Sequence, residues 1–146
     1  GSSKEERQDF KYELMARLLP VLREKQADSK KHIICGDWNI AHKKIDIKNW
    51  RGNQKNSGFL PEERAWMDQL FDDEGWGDAF RLVNQEAEQY TWWSNRGQAW
   101  ANNTGWRIDY QVISDNLKGT VLDASIYKEQ RFSDHAPLII DYDITP

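Results

Sequence analysis

Apolar residues recur at helical spacing in the first segment of the chain, residues 4–25. The repeat is close to the 3.6-residue period of an amphipathic helix, and the remaining positions are mostly Glu, Lys and Arg. The stripe consists of Phe10, Leu14, Leu18 and Leu22, widened by Met15 and Val21. Because proline cannot donate a backbone hydrogen bond, we expect Pro20 to kink or split this helix.

Short apolar runs follow, and they predict β-strands. Residues 32–35 read as a buried strand, and residues 40–60 as a long loop without periodicity. A second helix begins at Pro61, whose ring fits the first helical turn, and ends near Gly75. Four later runs have the β-branched and aromatic content of strands: residues 90–93, 108–113, 121–127 and 138–144.

This order of elements predicts an α/β (α+β) fold, with a mixed, mainly antiparallel sheet packed on two helices. The length of 146 residues suits one domain. Five tryptophans are difficult to bury in so small and polar a domain, so we expect the chain to be half of a larger sandwich: Trp38, Trp92, Trp93, Trp100 and Trp106.

Composition limits the cellular location and the binding partners that we expect for this protein. The net charge of −4 argues against a protein that binds nucleic acid through overall positive charge, although a local basic cluster, Lys43, Lys44, Lys48 and Arg51, remains. Cys35 is the only cysteine, so no internal disulfide forms, and we expect it to be a small buried hydrophobe. No signal peptide or apolar run of about 20 residues is found, which predicts a soluble, cytoplasmic protein without a membrane partner.

Polar residues of three kinds stand where apolar runs end: a carboxylate with an amide, a carboxylate inside a strand, and a carboxylate beside an imidazole. They are Asp37 with Asn39, Asp109, and Asp134 with His135. If residue 37 ends a strand, side chains at i and i+2 point the same way, so Asp37 and Asn39 would converge. Each cluster has an ordinary alternative, since Gly-Asp and Asn are common turn residues and Asp109 could simply lie on the surface.

Taken together, the three clusters favour a site for a hard cation. Carboxylate oxygens with one imidazole and no thiolate are the ligands of Mg²⁺ or Mn²⁺ rather than of Zn²⁺. Asp109 could also orient the imidazole of His135 by accepting its hydrogen bond.

The motifs Gly36-Asp37-Trp38-Asn39, Gly105-Trp106-Arg107-Ile108-Asp109-Tyr110 and Ser133-Asp134-His135-Ala136-Pro137 resemble the second half of exonuclease III and its apurinic/apyrimidinic (AP) endonuclease relatives. These proteins belong to the endonuclease/exonuclease/phosphatase superfamily. The resemblance covers essentially the whole chain. It implies half of a four-layer α/β sandwich and a Mg²⁺-dependent DNA repair phosphodiesterase that cuts 5′ of abasic sites and trims 3′ ends.

The resemblance also implies roles for individual residues. Asp37 corresponds to the acid that activates water or assists the leaving group, and Asn39 to the amide that binds the scissile phosphate. Asp109 corresponds to the carboxylate paired with the catalytic His135. Asp134, with Asp37 and Asn39, is expected near the metal, whereas Trp92, Trp106 and Ile108 are expected to form the apolar pocket for a flipped-out abasic sugar.

The chain departs from this family in length, since the family's first half, with its metal-binding Glu, has no counterpart here. We therefore expect residues 1–146 to be a C-terminal half, with residues 1–3 a tag or loop remnant, to be inactive alone, and to bind an N-terminal half or self-associate. One alternative is a catalytically silent, RNA-linked regulator like the catabolite repression control proteins. Another is a superfamily member acting on phosphoinositides or other small phosphoesters.

Overall fold

A computed structural model describes residues 3–145, so the expectation for residues 1 and 2 lies outside the described residues. The chain forms helices and antiparallel sheets, which confirms the α/β (α+β) class. The helices are α1 (Ser3–Ala27), α2 (Pro61–Asp68) and α3 (Ala79–Val83), and a π-helical turn, Gln69–Asp73, continues α2. The strands are β1 (Ile33–Asp37), β2 (Gly77–Asp78), β3 (Trp92–Trp93), β4 (Gly105–Trp106), β5 (Asp109–Ile113), β6 (Val121–Ile126) and β7 (Leu138–Tyr142).

The strands form three sheets, in the orders β1-β5-β2, β3-β4 and β6-β7. Every strand pair in the described part of the chain is antiparallel, and β1 lies at an edge of its sheet with β5 at the centre. All five predicted strands are present, and four are shorter than expected: three begin or end one or two residues inside the predicted bounds, and β3 keeps only Trp92–Trp93. Strand β1 instead begins one residue later than predicted and extends two residues further, to Asp37. Sequence patterns missed β2, α3 and β4, because runs of two to five residues carry no measurable periodicity.

The first helix forms as one element, so the prediction that Pro20 splits it is wrong. Proline removes a single backbone hydrogen bond, whereas Met15 on one side of it and Leu19 and Leu22 on the other pack into the same core. Trp66 fastens α2 to this helix, because its indole N–H donates to the carbonyl of Met15 at 3.0 Å. Packing on both sides of Pro20 therefore outweighs the missing bond.

Only part of the predicted stripe of α1 is buried, since Met15 and Leu22 lie in the core. Phe10, Leu14, Leu18 and Val21 are exposed, with Phe10 at 62% and Leu14 at 51% of full exposure. They have this exposure because the core contacts the face of Met15, Leu19 and Leu22, and nothing within residues 3–145 covers the other apolar face.

Strand β1 is exposed along most of its length, so the expectation of a buried strand and a buried Cys35 is wrong. As an edge strand it has a neighbour on one side only, β5. A groove of about 1370 Å³ runs between α1 and β1, and its apolar walls include Leu14, Leu18, Val21, Ile34 and Cys35. No helix in the described part of the chain has the length and apolarity to cross a membrane.

Candidate active site

Two carboxylates face each other at the end of the central strand pair. In the antiparallel register of β1 and β5, Asp37 lies directly opposite Asp109. Burial raises the pKa of Asp37, and the negative charge of Asp109 adds to this effect, although a hydrogen bond from the backbone of Asn39 opposes it. A carboxylate with a raised pKa holds a proton more readily, which suits a group that exchanges protons with a reacting molecule.

An imidazole completes this pair. Nδ1 of His135 lies 2.8 Å from Oδ2 of Asp109, and its Nε2 lies 3.8 Å from Oδ2 of Asp37. Burial by itself lowers the pKa of His135, but the hydrogen bond to Asp109 and the charges of the nearby carboxylates outweigh it, so the pKa is raised. With Nδ1–H donated to Asp109, the outer nitrogen, Nε2, is directed toward Asp37.

The segment that contains His135 pairs with the start of β3, and this pairing places His135 beside the end of β5. Trp92 forms an isolated antiparallel bridge with His135, and the N–H of Ala136 donates to the carbonyl of Thr91 at 2.8 Å. Thr91 is buried, and its Oγ1 accepts the N–H groups of Ile108 at 3.0 Å and Asp109 at 3.1 Å. One threonine therefore joins the two segments that bear the Asp109–His135 pair.

Asn39 reaches the site by a turn rather than by strand alternation. Its φ of 52° is in the left-handed region, and its backbone N–H donates to Oδ1 of Asp37 at 2.8 Å. The expectation that residues 37 and 39 extend from one strand is thus wrong, because β1 ends at Asp37 and Asn is one of the residues that tolerates this conformation. The side-chain amide of Asn39 makes no hydrogen bond within residues 3–145, so it is available to a bound group.

A pocket of about 280 Å³ adjoins these groups and contains all three predicted substrate residues, Trp92, Trp106 and Ile108. Its walls are Asn39, Ser57, Gly58, Trp92, Trp106, Ile108 and His135. The rings of Trp92 and Trp106 meet edge to face at 6.2 Å. Gly58 has a φ of +99°, and a Cβ there would lie 2.7 Å from Trp106, so this wall requires glycine.

Asp134 stands apart from the other acids. Its Oδ2 accepts the indole N–H of Trp92 at 3.2 Å. Among the described residues, the carboxylate and imidazole atoms that lie within 4.8 Å of one another belong to Asp37, Asp109 and His135. This group could hold a metal ion, and each carboxylate has one oxygen already hydrogen bonded, Asp37 to the N–H of Asn39 and Asp109 to Nδ1 of His135. The carboxylate of Asp37 is the more exposed of the two and therefore the more accessible oxygen ligand.

A buried ionic network behind the site was not predicted. Arg107 is 1% exposed and makes paired hydrogen bonds with Asp46, at 2.8 and 3.3 Å, and with Asp78, at 3.1 and 2.5 Å. Arg81 adds a further bond to Asp46 at 2.8 Å. The only signal in the sequence was an arginine between two apolar residues, Trp106 and Ile108; its partners lie 61 and 29 residues away, and no pattern selects them.

Tyr110 connects β5 to the segment that follows Asn39. It is buried, its hydroxyl donates to the carbonyl of Ile40 at 2.7 Å, and it accepts the N–H of His42 at 3.1 Å. Burial raises the pKa of Tyr110 well above its usual value, so the hydroxyl stays protonated and can donate. Tyr110 therefore holds the segment that follows Asn39, and Arg107 lies between the pocket residues Trp106 and Ile108.

Comparison with known proteins gives consistent matches. A profile of the Endonuclease/Exonuclease/phosphatase family matches residues 3–135. The exodeoxyribonuclease of Bacillus subtilis is 43% identical over 135 residues, which is 91% of this chain and 52% of that protein. DNA repair nuclease APEX1 of Danio rerio is 43% identical over 109 residues, which is 74% of this chain and 35% of that protein. The chain thus spans about half the length, or less, of these curated relatives.

Solved structures give the same result. An AP endonuclease from Archaeoglobus fulgidus superposes with a TM-score of 0.86 at 23% identity, over 93% of this chain and 55% of that one, and shows the fold. A 3′-5′ exonuclease from Neisseria meningitidis superposes with a TM-score of 0.85 at 28% identity, over 93% of this chain and 54% of that one.

Proposed function

Because the chain belongs to the Endonuclease/Exonuclease/phosphatase family and is of the exonuclease III/AP endonuclease type, we propose that its site hydrolyses DNA phosphodiesters with the help of Mg²⁺ or Mn²⁺. The substrates are duplexes with an abasic site, cut on its 5′ side, and 3′ ends, which are trimmed. The main observation that supports this proposal is the position of His135, which is hydrogen bonded to Asp109 and directed at Asp37, beside a pocket that also contains Asn39.

The bound cation would neutralise phosphate charge, and Asp37 and Asn39 would hold it, with Asp134 further out. Asn39 donates its free amide to a phosphate oxygen. Burial raises the pKa of Asp37, and this carboxylate takes a proton from water or returns one to the leaving oxygen. Asp109 holds His135 in one tautomer, so that the outer nitrogen contacts the phosphate or the water. The pocket of Trp92, Trp106 and Ile108 receives the sugar of the abasic nucleotide.

Residues 1–146 act, in this proposal, as the C-terminal half of a larger domain. The exposed apolar residues of α1 and the groove beside β1 suit coverage by an N-terminal half, or by a second copy in its absence. The isolated chain would be inactive without the metal ligands of the other half. The regulator alternative is not favoured, because the relatives that match carry nuclease names.

The test is incision of a labelled duplex with one abasic site, with and without Mg²⁺. The chain is assayed alone and mixed with the N-terminal half of a relative, after sedimentation has shown that the two form a complex. Metal-dependent incision by the mixture alone is expected. No incision by the proven complex would refute the proposed activity, and incision by the chain alone would refute the need for a second half.

Two variants test the residue roles in the same complex. Asp37→Asn and His135→Ala should each reduce incision at least about 100-fold, the lower range for lost acid–base assistance. His32→Ala is the matched control, since His32 also pairs with an aspartate, Asp28. His32 precedes the first residue of β1, whereas Asp37 is the last residue of that strand, so His32 lies away from the site. Wild-type incision by either site variant would refute its role.

A further inference from the structure

The connection between β6 and β7 carries an exposed aromatic residue directly before the site. Phe132 is 65% exposed, and its ring stacks on Tyr127 with a centroid distance of 6.2 Å and an angle of 19° between the planes. His135 follows only three residues later, so Phe132 lies within about 11 Å of it along the chain. A single exposed aromatic residue is common on protein surfaces, and its meaning depends on its neighbours.

Those neighbours are two cations held against indole rings. The guanidinium of Arg131 lies 4.8 Å from the ring of Trp100, and the ammonium of Lys128 lies 5.0 Å from Trp93 and 5.3 Å from Trp100. Such contacts orient a cation without neutralising it.

Neither cation has an acidic partner within the described part of the chain. Arg131 donates to Oδ1 of Asn95 at 3.2 Å, and Lys128 donates to Oδ1 of Asn103 at 3.2 Å. The carboxylate of Glu88, whose charge Lys128 senses, is already paired with Lys48. The positive charges of Lys128 and Arg131 are therefore available to an external anion, as are those of Lys44 and Arg51, which lie over Trp50.

The same loop is tied to the catalytic segment. Nε of Arg131 donates to the carbonyl of Ser133 at 3.3 Å, and Oγ of Ser133 accepts the N–H of His135 at 3.0 Å. A nucleic acid strand that leaves the pocket at His135 therefore meets Phe132 and Arg131 within a few nucleotides.

We propose that Lys128, Arg131 and Phe132 form a strand-holding surface that binds single-stranded DNA continuing from the pocket. The two cations contact successive phosphates, and an unpaired base stacks on Phe132, which Tyr127 supports from behind. Aromatic platforms beside cations are the usual means of binding single strands, whereas the base faces of a duplex are already stacked and unavailable. The inference rests on the proposed function and adds a substrate class: DNA that is unpaired next to the cleaved bond.

The test is fluorescence anisotropy of the chain with a labelled single-stranded oligonucleotide and with the same sequence as a blunt duplex, over a range of salt. Phe132→Ala should weaken single-strand binding about 5- to 150-fold, the range for one lost base stack, and leave duplex binding within about two-fold. Arg131→Gln should reduce the slope of log K against log salt by about 0.7, and Arg131→Lys should retain it.

Two control variants match these changes. Leu122→Ala removes an apolar side chain with 64% exposure in β6, and Lys31→Gln removes an exposed charge just before β1. Neither should alter single-strand binding beyond about two-fold, because a remote charge is largely screened at physiological salt. Unchanged single-strand affinity in Phe132→Ala, or an equal loss in Leu122→Ala, would overturn the proposal.

Because binding is measured without cleavage, the two proposals fail separately. If the complex with an N-terminal half cleaves abasic DNA but Phe132→Ala binds the single strand normally, only the strand-holding surface is refuted. If that complex cleaves nothing while Phe132→Ala loses single-strand binding, the surface stands and the hydrolytic function is refuted.

Discussion

Replacing Asp46 by asparagine removes one negative charge from the buried network behind the site. Asp46 is 0% exposed and bonds both Arg107 and Arg81. Burial alone would raise the pKa of this carboxyl, but the two guanidinium groups lower it from 3.8 to about 2. A carboxyl shifted this far on folding contributes about 2 kcal/mol of stability at neutral pH.

The expected loss in Asp46→Asn is therefore at least about 2 kcal/mol at pH 7. Arg107 keeps Asp78, but Arg81 loses its only ion pair among the described residues, and breaking a buried pair costs about 3 to 5 kcal/mol. A loss of about 2 to 5 kcal/mol is a large part of the free energy of unfolding of a typical domain, which is about 5 to 15 kcal/mol.

The pH dependence has a definite sign. Because folding lowers the pKa of Asp46, its contribution is fully present above pH 3.8 and disappears as the pH falls toward 2. About half of the contribution should be gone at pH 3. The difference in unfolding free energy between wild type and Asp46→Asn should therefore shrink from pH 7 to pH 3.

The assay is urea unfolding at both pH values, followed by tryptophan fluorescence. Asp123→Asn is the control, since Asp123 is exposed in β6 and should change stability by less than about 0.5 kcal/mol. A loss below about 1 kcal/mol in Asp46→Asn at pH 7, or a difference independent of pH, would refute the reasoning.

Three further predictions concern the site. Tyr110→Phe leaves the carbonyl of Ile40 and the N–H of His42 without their hydroxyl partner, so it should cost about 1 to 3 kcal/mol in urea unfolding; no loss would contradict the bonding described. Asp109→Asn should reduce incision by the two-half complex about 100-fold or more, and activity equal to wild type would contradict its role in orienting the imidazole. Mg²⁺ should raise the melting temperature of the wild-type chain with concentration, but not that of Asp37→Asn; equal shifts would place the ion elsewhere.

Local patterns in the sequence were sufficient for the class of the fold and for the chemistry of the motifs. The repeat in residues 4–25 predicted α1, Pro61 marked the start of α2, and the apolar run at residues 32–35 predicted β1. The family resemblance, drawn from three short motifs, is confirmed by the family match over residues 3–135. These predictions succeed because helical periodicity, proline at a helix start and motif composition are properties of neighbouring residues.

Burial could not be predicted from the same patterns. The sequence shows that α1 carries many apolar residues, but only the fold decides that Met15 is buried and Leu14 exposed. Cys35 lies in an apolar run, yet its strand is at an edge and uncovered. Burial depends on which elements are present to pack against a face, and an apolar residue is equally apolar whether or not its partner is within the chain.

The sequence by itself determined which chemical groups the site contains: carboxylates at 37 and 109, an amide at 39 and an imidazole at 135. Only the tertiary structure decided that Asp37 opposes Asp109 across two strands, that His135 bonds Asp109 at 2.8 Å, and that Asn39 enters by a left-handed turn. It also selected the partners of Arg107. Contacts between residues 26 to 72 positions apart are set by strand register and by the pairing of buried charges, and neither leaves a periodic trace in the chain.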